Sequence, residues 1–145
     1  MPLPTGPATL VKDAVVARLM GDADLVAGLA TYRGVPAVFS GRLVPPDAER
    51  PWVHLRPVAQ DTADLLVERG RELLLDLAVF AGDPGNPDGI DSLGEHLRAL
   101  FHRQPLTLDG DAVVLAVRCG GVIDVPDEPE GVIGRVIPLS ITLRE

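Results

Sequence analysis

The feature that most constrains this chain is the run from Glu72 to Phe101, ELLLDLAVFAGDPGNPDGIDSLGEHLRALF, where an alternating pattern gives way to a helical one. Side chains alternate across an extended strand, so Leu73, Leu75, Leu77 and Val79 fall on one side and Asp76 and Ala78 on the other. The segment GDPGNPDG then breaks the chain, and Asn86 followed by Pro87 predicts an N-cap with proline in the first helical turn. In the helix that follows, Ile90, Leu93, Leu97, Leu100 and Phe101 recur at three- and four-residue steps. They make one stripe that can lie on the sheet face built by the odd-numbered strand residues.

A chain of 145 residues fits one domain with a real hydrophobic core, and a single domain over 1–145 is expected. Because aromatic residues make up only 3% of it, that core must be built from Leu, Val, Ile and Ala, and no aromatic stacking platform is expected. Nucleic-acid readers depend on such platforms or on clustered Lys and Arg, and a formal charge of −8 argues against tight binding to DNA or to an anionic membrane. Cys119 is the only cysteine, which excludes an intrachain disulfide and a zinc site of several thiolates. The start MPLPTGPATL lacks the pattern of a secretory signal, so folding in a cytosol is expected.

Taken in order, residues 1–8 read as a proline-rich extended arm with Thr9 as a helix cap. From Leu10 to Met20, residues Leu10, Val11, Ala14, Val15, Ala17 and Leu19 outline an apolar face, with Lys12, Asp13 and Arg18 facing away and Gly21 ending the helix. Asp24 to Leu29 adds a helical turn. TYRGVPAVFSGRLVPPDAERP reads as a long loop, irregular or only briefly stranded.

Trp52 to Ala59 is a strand with Val53 and Leu55 on one side. Gln60 to Gly70 reads either as a helical turn or as a hairpin tip. Asp109-Gly110 signals a turn, and Ala112 to Cys119 is a strand with Val113, Leu115, Val117 and Cys119 on one face. The last strand, Arg135 to Glu145, alternates Ile137, Leu139, Ile141 and Leu143 against Ser140, Thr142 and Arg144, and Pro138 suits an edge strand or a strand end. The sum is an α+β domain: an antiparallel or mixed four-stranded sheet packed on one side by two main helices, with long loops and a proline-rich N-terminal arm.

Chemistry is sparse. His96 and His102 fall on roughly opposite sides of one helix, and His54 has no evident partner in the sequence. Asp83, Asn86, Asp88 and Asp91 lack the spacing and terminal glutamate of a calcium loop, and turn formation and capping explain all four. No nucleophile motif or phosphate-binding loop occurs. No catalytic residue, metal or cofactor is therefore expected. The acidic run with Asp124, Asp127, Glu128 and Glu130 is either a solvated loop or, in a ring, the lining or rim of a channel. Arg42, Glu49 and Arg50 are either solvated charges or subunit contacts. Gly94 within the helix points to close approach of helix and sheet.

Several phrases, in order, are similar to the tail terminator or tail-completion family of long-tailed bacteriophages, prophages and gene transfer agents. They are LVAGLATYRG after the opening helix, then SGRLVPPDAERPWVHL, with Gly41-Arg42-Leu43 and the pair Pro51-Trp52 leading into the first strand. A strand closing in Val79-Phe80, a helix with Leu93, Leu97 and Leu100, and the ending DVPDEPEGVIGRVIPLSITLRE complete the series. Val132, Ile133 and Ile141 stand where such proteins often carry Tyr or Phe.

The resemblance implies a virion structural protein without catalytic residues, which assembles with itself into a ring, usually hexameric. That ring caps the tail tube, ends its growth and meets the head-tail connector. Tube protein and connector are the implied partners, DNA passes through the lumen only in transit, and no membrane is involved. Assembly in the host cytoplasm and residence in the virion tail follow. Arg42, Glu49, Arg50 and Arg144 become interface candidates. The alternatives are a cytosolic adaptor or ligand-binding domain, with a cleft between the long loop and the helix from Pro87, and a small metal-dependent hydrolase using Asp83, Asp88 and His96.

Overall fold

The structure, a computed structural model, describes residues 7–40, 44–64, 69–82, 87–108, 113–124 and 132–144. Its centre is the strand and helix that the alternating and helical patterns define. The strand runs Arg69–Ala81 (β5) and the helix Pro87–Phe101 (α3). Leu73, Leu75, Leu77 and Val79 are all buried, and so are Ile90, Leu97 and Phe101 on the facing helix. Full burial of each such side chain contributes roughly 1.5–3 kcal/mol. Gly94 lets the helix sit low, since a Cβ there would stand 3.1 Å from the Val122 side chain.

Around this pair the chain adds α1 (Pro7–Met20), α2 (Ala23–Gly28), β1 (Thr31–Tyr32), β2 (Val35–Pro36), β3 (Val38–Phe39), β4 (Trp52–Asp64), β6 (Val113–Cys119), β7 (Ile123–Asp124) and β8 (Ile133–Arg144). The main sheet has the order β3-β4-β5-β8-β6, with β7 also paired to β8. It is mixed, because β3 runs parallel to β4 while the other pairs are antiparallel. The class is therefore α+β as expected, with β3 and β7 extending the four long strands and β1 and β2 forming a separate two-stranded ribbon.

Helices α1 and α3 share one core with the inward sheet face: Val11, Val15 and Leu19 join Leu55, Leu77, Ile137 and Leu139. Of the stretch from Gln60 to Gly70, residues 60–64 and 69–70 lie in the antiparallel pairing of β4 with β5, which runs out to Asp64 and Arg69, and 65–68 fall outside the described residues.

Five expectations need correction. Helix α1 starts at Pro7, so positions 7 and 8 of the expected arm are helical and Thr9 lies inside; proline is well suited to a first helical turn, where its missing N–H costs nothing. The rest of the arm, 1–6, falls outside the described residues, as does Asp109-Gly110. On the same helix Ala17 is exposed and Val16 packs against the core. Arg18 does not face away: its guanidinium donates to the carbonyls of Leu100 and Pro105 and lies over the Phe101 ring.

Strand β6 carries an irregularity between Val114 and Ala116. The bulge breaks the alternation, leaving Val113 and Leu115 exposed while Val117 and Cys119 point inward. Strand β8 is central, between β5 and β6. Pro138 is tolerated there because it falls between the stretches paired with β6 and β7, which end at Leu139 and begin at Val136. Its carbonyl accepts from Gly120 N–H at 2.9 Å, so its nitrogen also faces that gap, where no ladder donor is required.

Candidate functional site

Among the described residues, one face of the sheet carries no helix. Cross-strand pairing places Phe39, His54, Ala78, Val136 and Ile123 in one row across that face, with Trp52 and Phe80 in the next. Tyr32, Phe39, Trp52 and Phe80 form a chain of rings, with centroid separations of 5.6 Å, 6.5 Å and 4.6 Å. The expected lack of an aromatic platform is thus corrected. Four of the five aromatic residues gather here, all of them half-buried. Composition alone misses this, because pairing across strands brings distant positions together. His54 is buried against the Trp52 ring, centroids 6.5 Å apart. Farther along the same face, Asp76 pairs in register with Arg56, and burial raises the Asp76 carboxyl above its usual range against the opposing pull of Arg56.

The two side edges of the sheet differ. Beyond β3 lie the β1–β2 ribbon and the loop 44–50. The ribbon turns at Arg33 and Gly34, both with positive φ, as a two-residue hairpin requires. Tyr32 donates its hydroxyl to Asp47 at 3.0 Å, which raises its phenol pKa, and Arg33 stacks on the Tyr32 ring. Of the expected interface residues, Glu49 and Arg50 sit exposed in this loop, the Arg50 side chain lying by Gly82. Arg42 falls outside the described residues.

At the other edge the end of α3 meets β6. Arg103 takes φ 58°, a left-handed helix ending usually reserved for glycine, and its N–H donates to Val117 O at 2.9 Å. Cys119 N–H donates to His102 Nδ1 at 3.0 Å, so that nitrogen must be unprotonated. Burial lowers the His102 pKa, and the nearby Arg98, Arg103 and Arg118 charges push the same way. Burial lifts the Cys119 thiol to about 11, which makes it a poor nucleophile. A cleft of about 460 Å³ runs between Arg103–Pro105 and β6.

The remaining candidates are structural or scattered. Arg144 ends β8 opposite Gly70 and Val113, remote in register from Glu49 and Arg50. Asp124, expected as part of a solvated or channel-lining run, is ion-paired: Arg135 Nε lies 3.1 Å from Asp124 and 2.8 Å from Asp91, tying β7, β8 and α3 together. Asp127, Glu128 and Glu130 fall outside the described residues.

Among the described residues no group of three metal-binding side chains occurs. Asp83 and Asn86 and the Asp88 side chain lie outside them. His96 Nε2 is 2.9 Å from Asp22, whose carboxyl pKa is lowered first by that bond and then by Leu25 N–H. The cleft expected between the long loop and α3 exists, about 390 Å³ in volume, with Pro51 on one side, Ile90 and Leu93 on the other and Leu25 of α2 completing it. No helix among the described residues is long and apolar enough to cross a membrane.

Comparison with known proteins places this architecture. The model of a family described as "Tail completion protein gp17" matches residues 13–127. A chain from a solved structure described as "Virion of native gene transfer agent (GTA) particle" shares the fold with a TM-score of 0.73 at 19% identity, covering 97% of this chain and 98% of that one. No curated protein matches.

Proposed function

The chain belongs to the tail completion protein gp17 family and is a phage tail structural protein, and from that premise we propose that it forms the ring that ends the tail tube. In this reading six copies close around the DNA path, one rim docks on the last tube ring and stops further addition, and the other rim meets the head connector. The work is done by shape, without bond-making. Assembly takes place in the host cytoplasm before the ring becomes part of the virion.

The observation that carries the reading is the contrast between the two sheet edges. A head-to-tail ring needs two different patches on opposite sides of one subunit, so that each copy offers one and receives the other. The sheet supplies such a pair, an aromatic and acidic edge beyond β3 and a basic, grooved edge at β6. Glu49 and Arg50 are proposed as contact residues on the first of these, and Arg42 and Arg144 remain proposals at positions of their own. The acidic surplus, including Asp127, Glu128 and Glu130, is proposed to keep DNA from binding to the wall as it passes.

Electron microscopy of particles made without this protein tests the idea. Tubes of uncontrolled length and heads without tails are expected, and purified protein should add a cap at one tube end. Tubes of normal length, joined to heads in its absence, would sink the proposal. A second reading, as an adaptor or small-ligand domain, draws on the apolar cleft between α2 and α3. Saturable binding of a small molecule by purified monomer, with tails unaffected by its loss, would favour it.

A further inference from the structure

We infer that neighbouring copies meet edge to edge, the basic groove beside β6 of one copy receiving the acidic loop 44–50 of the next. This rests on the ring reading above and names its contact.

The groove side is unusual in two respects. It concentrates positive charge on a chain of net charge −8: Arg98, Arg103 and Arg118 all act on His102. Arg103 and Arg118 are exposed and form no ion pair among the described residues. It also leaves Val113 at 42% and Leu115 at 46% exposure on the outermost strand, an edge that soluble proteins normally cover or charge. Arg103 further holds a left-handed backbone position that glycine would fill with less strain. Folding alone does not call for a long cationic side chain there.

The loop side matches in charge and shape. Pro45 to Ala48 make a tight turn, with Ala48 N–H donating to Pro45 O at 3.0 Å, and the prolines keep it stiff. Asp47 and Glu49 are exposed. The neighbouring cations are turned to their own chain, Arg33 over the Tyr32 ring and Arg50 beside Gly82. Asp47 takes the Tyr32 hydroxyl on one oxygen, so its other oxygen and the exposed Glu49 are the acidic groups that the loop presents. The groove and the loop lie on opposite sides of a five-strand path, roughly 20 Å apart at about 4.8 Å per strand step. A contact between unlike patches so placed propagates from copy to copy and closes when the rotation allows.

Charge exchange tests it, with native mass spectrometry at low salt and electron microscopy of tube ends as readouts. Variants Arg103→Asp with Arg118→Glu, and separately Asp47→Arg with Glu49→Arg, are expected to raise the concentration needed for ring formation about a hundredfold, since opposed like charges are strongly unfavourable. Asp suits the left-handed backbone at 103. The milder pair Arg103→Asn with Arg118→Gln should fall between these and the wild type. The fourfold exchange should regain rings. Wild-type rings with either pair variant assembling equally well would overturn the contact and leave the ring reading standing. Loss of rings without recovery in the fourfold exchange would point to an acidic segment of another protein and overturn it too. A wild-type chain that forms no ring, alone or on tubes, would remove the ring reading and this contact together.

Discussion

Phe101 sits on the helix-covered side of the sheet and the other four aromatic residues on the open side, and the two groups do different work. Phe101 is fully buried in an aliphatic core and covered by the Arg18 guanidinium. Tyr32, Phe39, Trp52 and Phe80 touch one another, and each remains half-buried. A ring sealed in aliphatic surroundings contributes to stability through the area it removes from water. Rings lined up at a sheet edge keep part of that area in reserve for a partner, and aromatic side chains are enriched where proteins meet. One face folds the subunit, and the other is proposed to join it to a partner.

The largest effect that sharpens this contrast belongs to the covered side. Phe101→Ala removes a ring with no exposure, and about 3–5 kcal/mol of stability should be lost in urea or thermal unfolding. A loss below about 1 kcal/mol would mean that the helix packs more loosely than its burial implies. Trp52→Ala on the open side should cost less, about 1–2 kcal/mol, because part of the ring is already in water. Its greater effect should fall on ring formation or on attachment to tubes, measured with the same preparation. If Trp52→Ala destabilises the subunit as much as Phe101→Ala does and leaves assembly intact, the division of labour between the faces is wrong.

The covered side was legible in the sequence because one residue's neighbours in sequence decide which way it points. The alternation of Leu73, Leu75, Leu77 and Val79 and the stripe from Ile90 to Phe101 follow from backbone periodicity alone, and all but Leu93 and Leu100 proved buried. The open side was illegible because its features depend on pairing between distant strands. Trp52 meets Phe80 only through the β4–β5 register. Leu115 is exposed only because a bulge interrupts β6, and sequence alternation gives no warning of it. Asp124, readable from sequence as a solvated or channel-lining charge, stays exposed, and its ion pair with Arg135 appears only through the pairing of β7 with β8. Pro138 suggested an edge, since a gap beside a central strand is a property of its neighbours' lengths and leaves no trace in the strand itself. Glu49 and Arg50 were recognisable as exposed loop charges, while Arg103 and Arg118 on the opposite edge were passed over because they are far apart in sequence and meet only at the end of α3.

The smallest effect concerns the seam between those two sides, where His102 fastens the end of α3 to β6. Its Nδ1 accepts the Cys119 N–H, which a protonated ring cannot do. With the folded pKa held below the ordinary 6.5 by burial and by Arg98, Arg103 and Arg118, the unfolded chain binds the proton more readily than the folded one. The stabilisation is therefore complete above pH 6.5 and declines as pH falls from there through the lowered folded value. The effect of the Asp22 carboxyl has the same sign in a separate, more acidic range, being lost as pH drops from 3.8 through its own depressed value. In His102→Gln an amide oxygen can still accept from Cys119, and nothing at that position titrates. Chemical denaturation at a series of pH values should show the wild type weakening as pH falls below 6.5 and the variant doing so less, with both falling together in the more acidic range where Asp22 titrates. Equal slopes for the two proteins just below pH 6.5 would mean that burial and the three arginine charges do not hold the ring neutral and that the seam depends on packing alone.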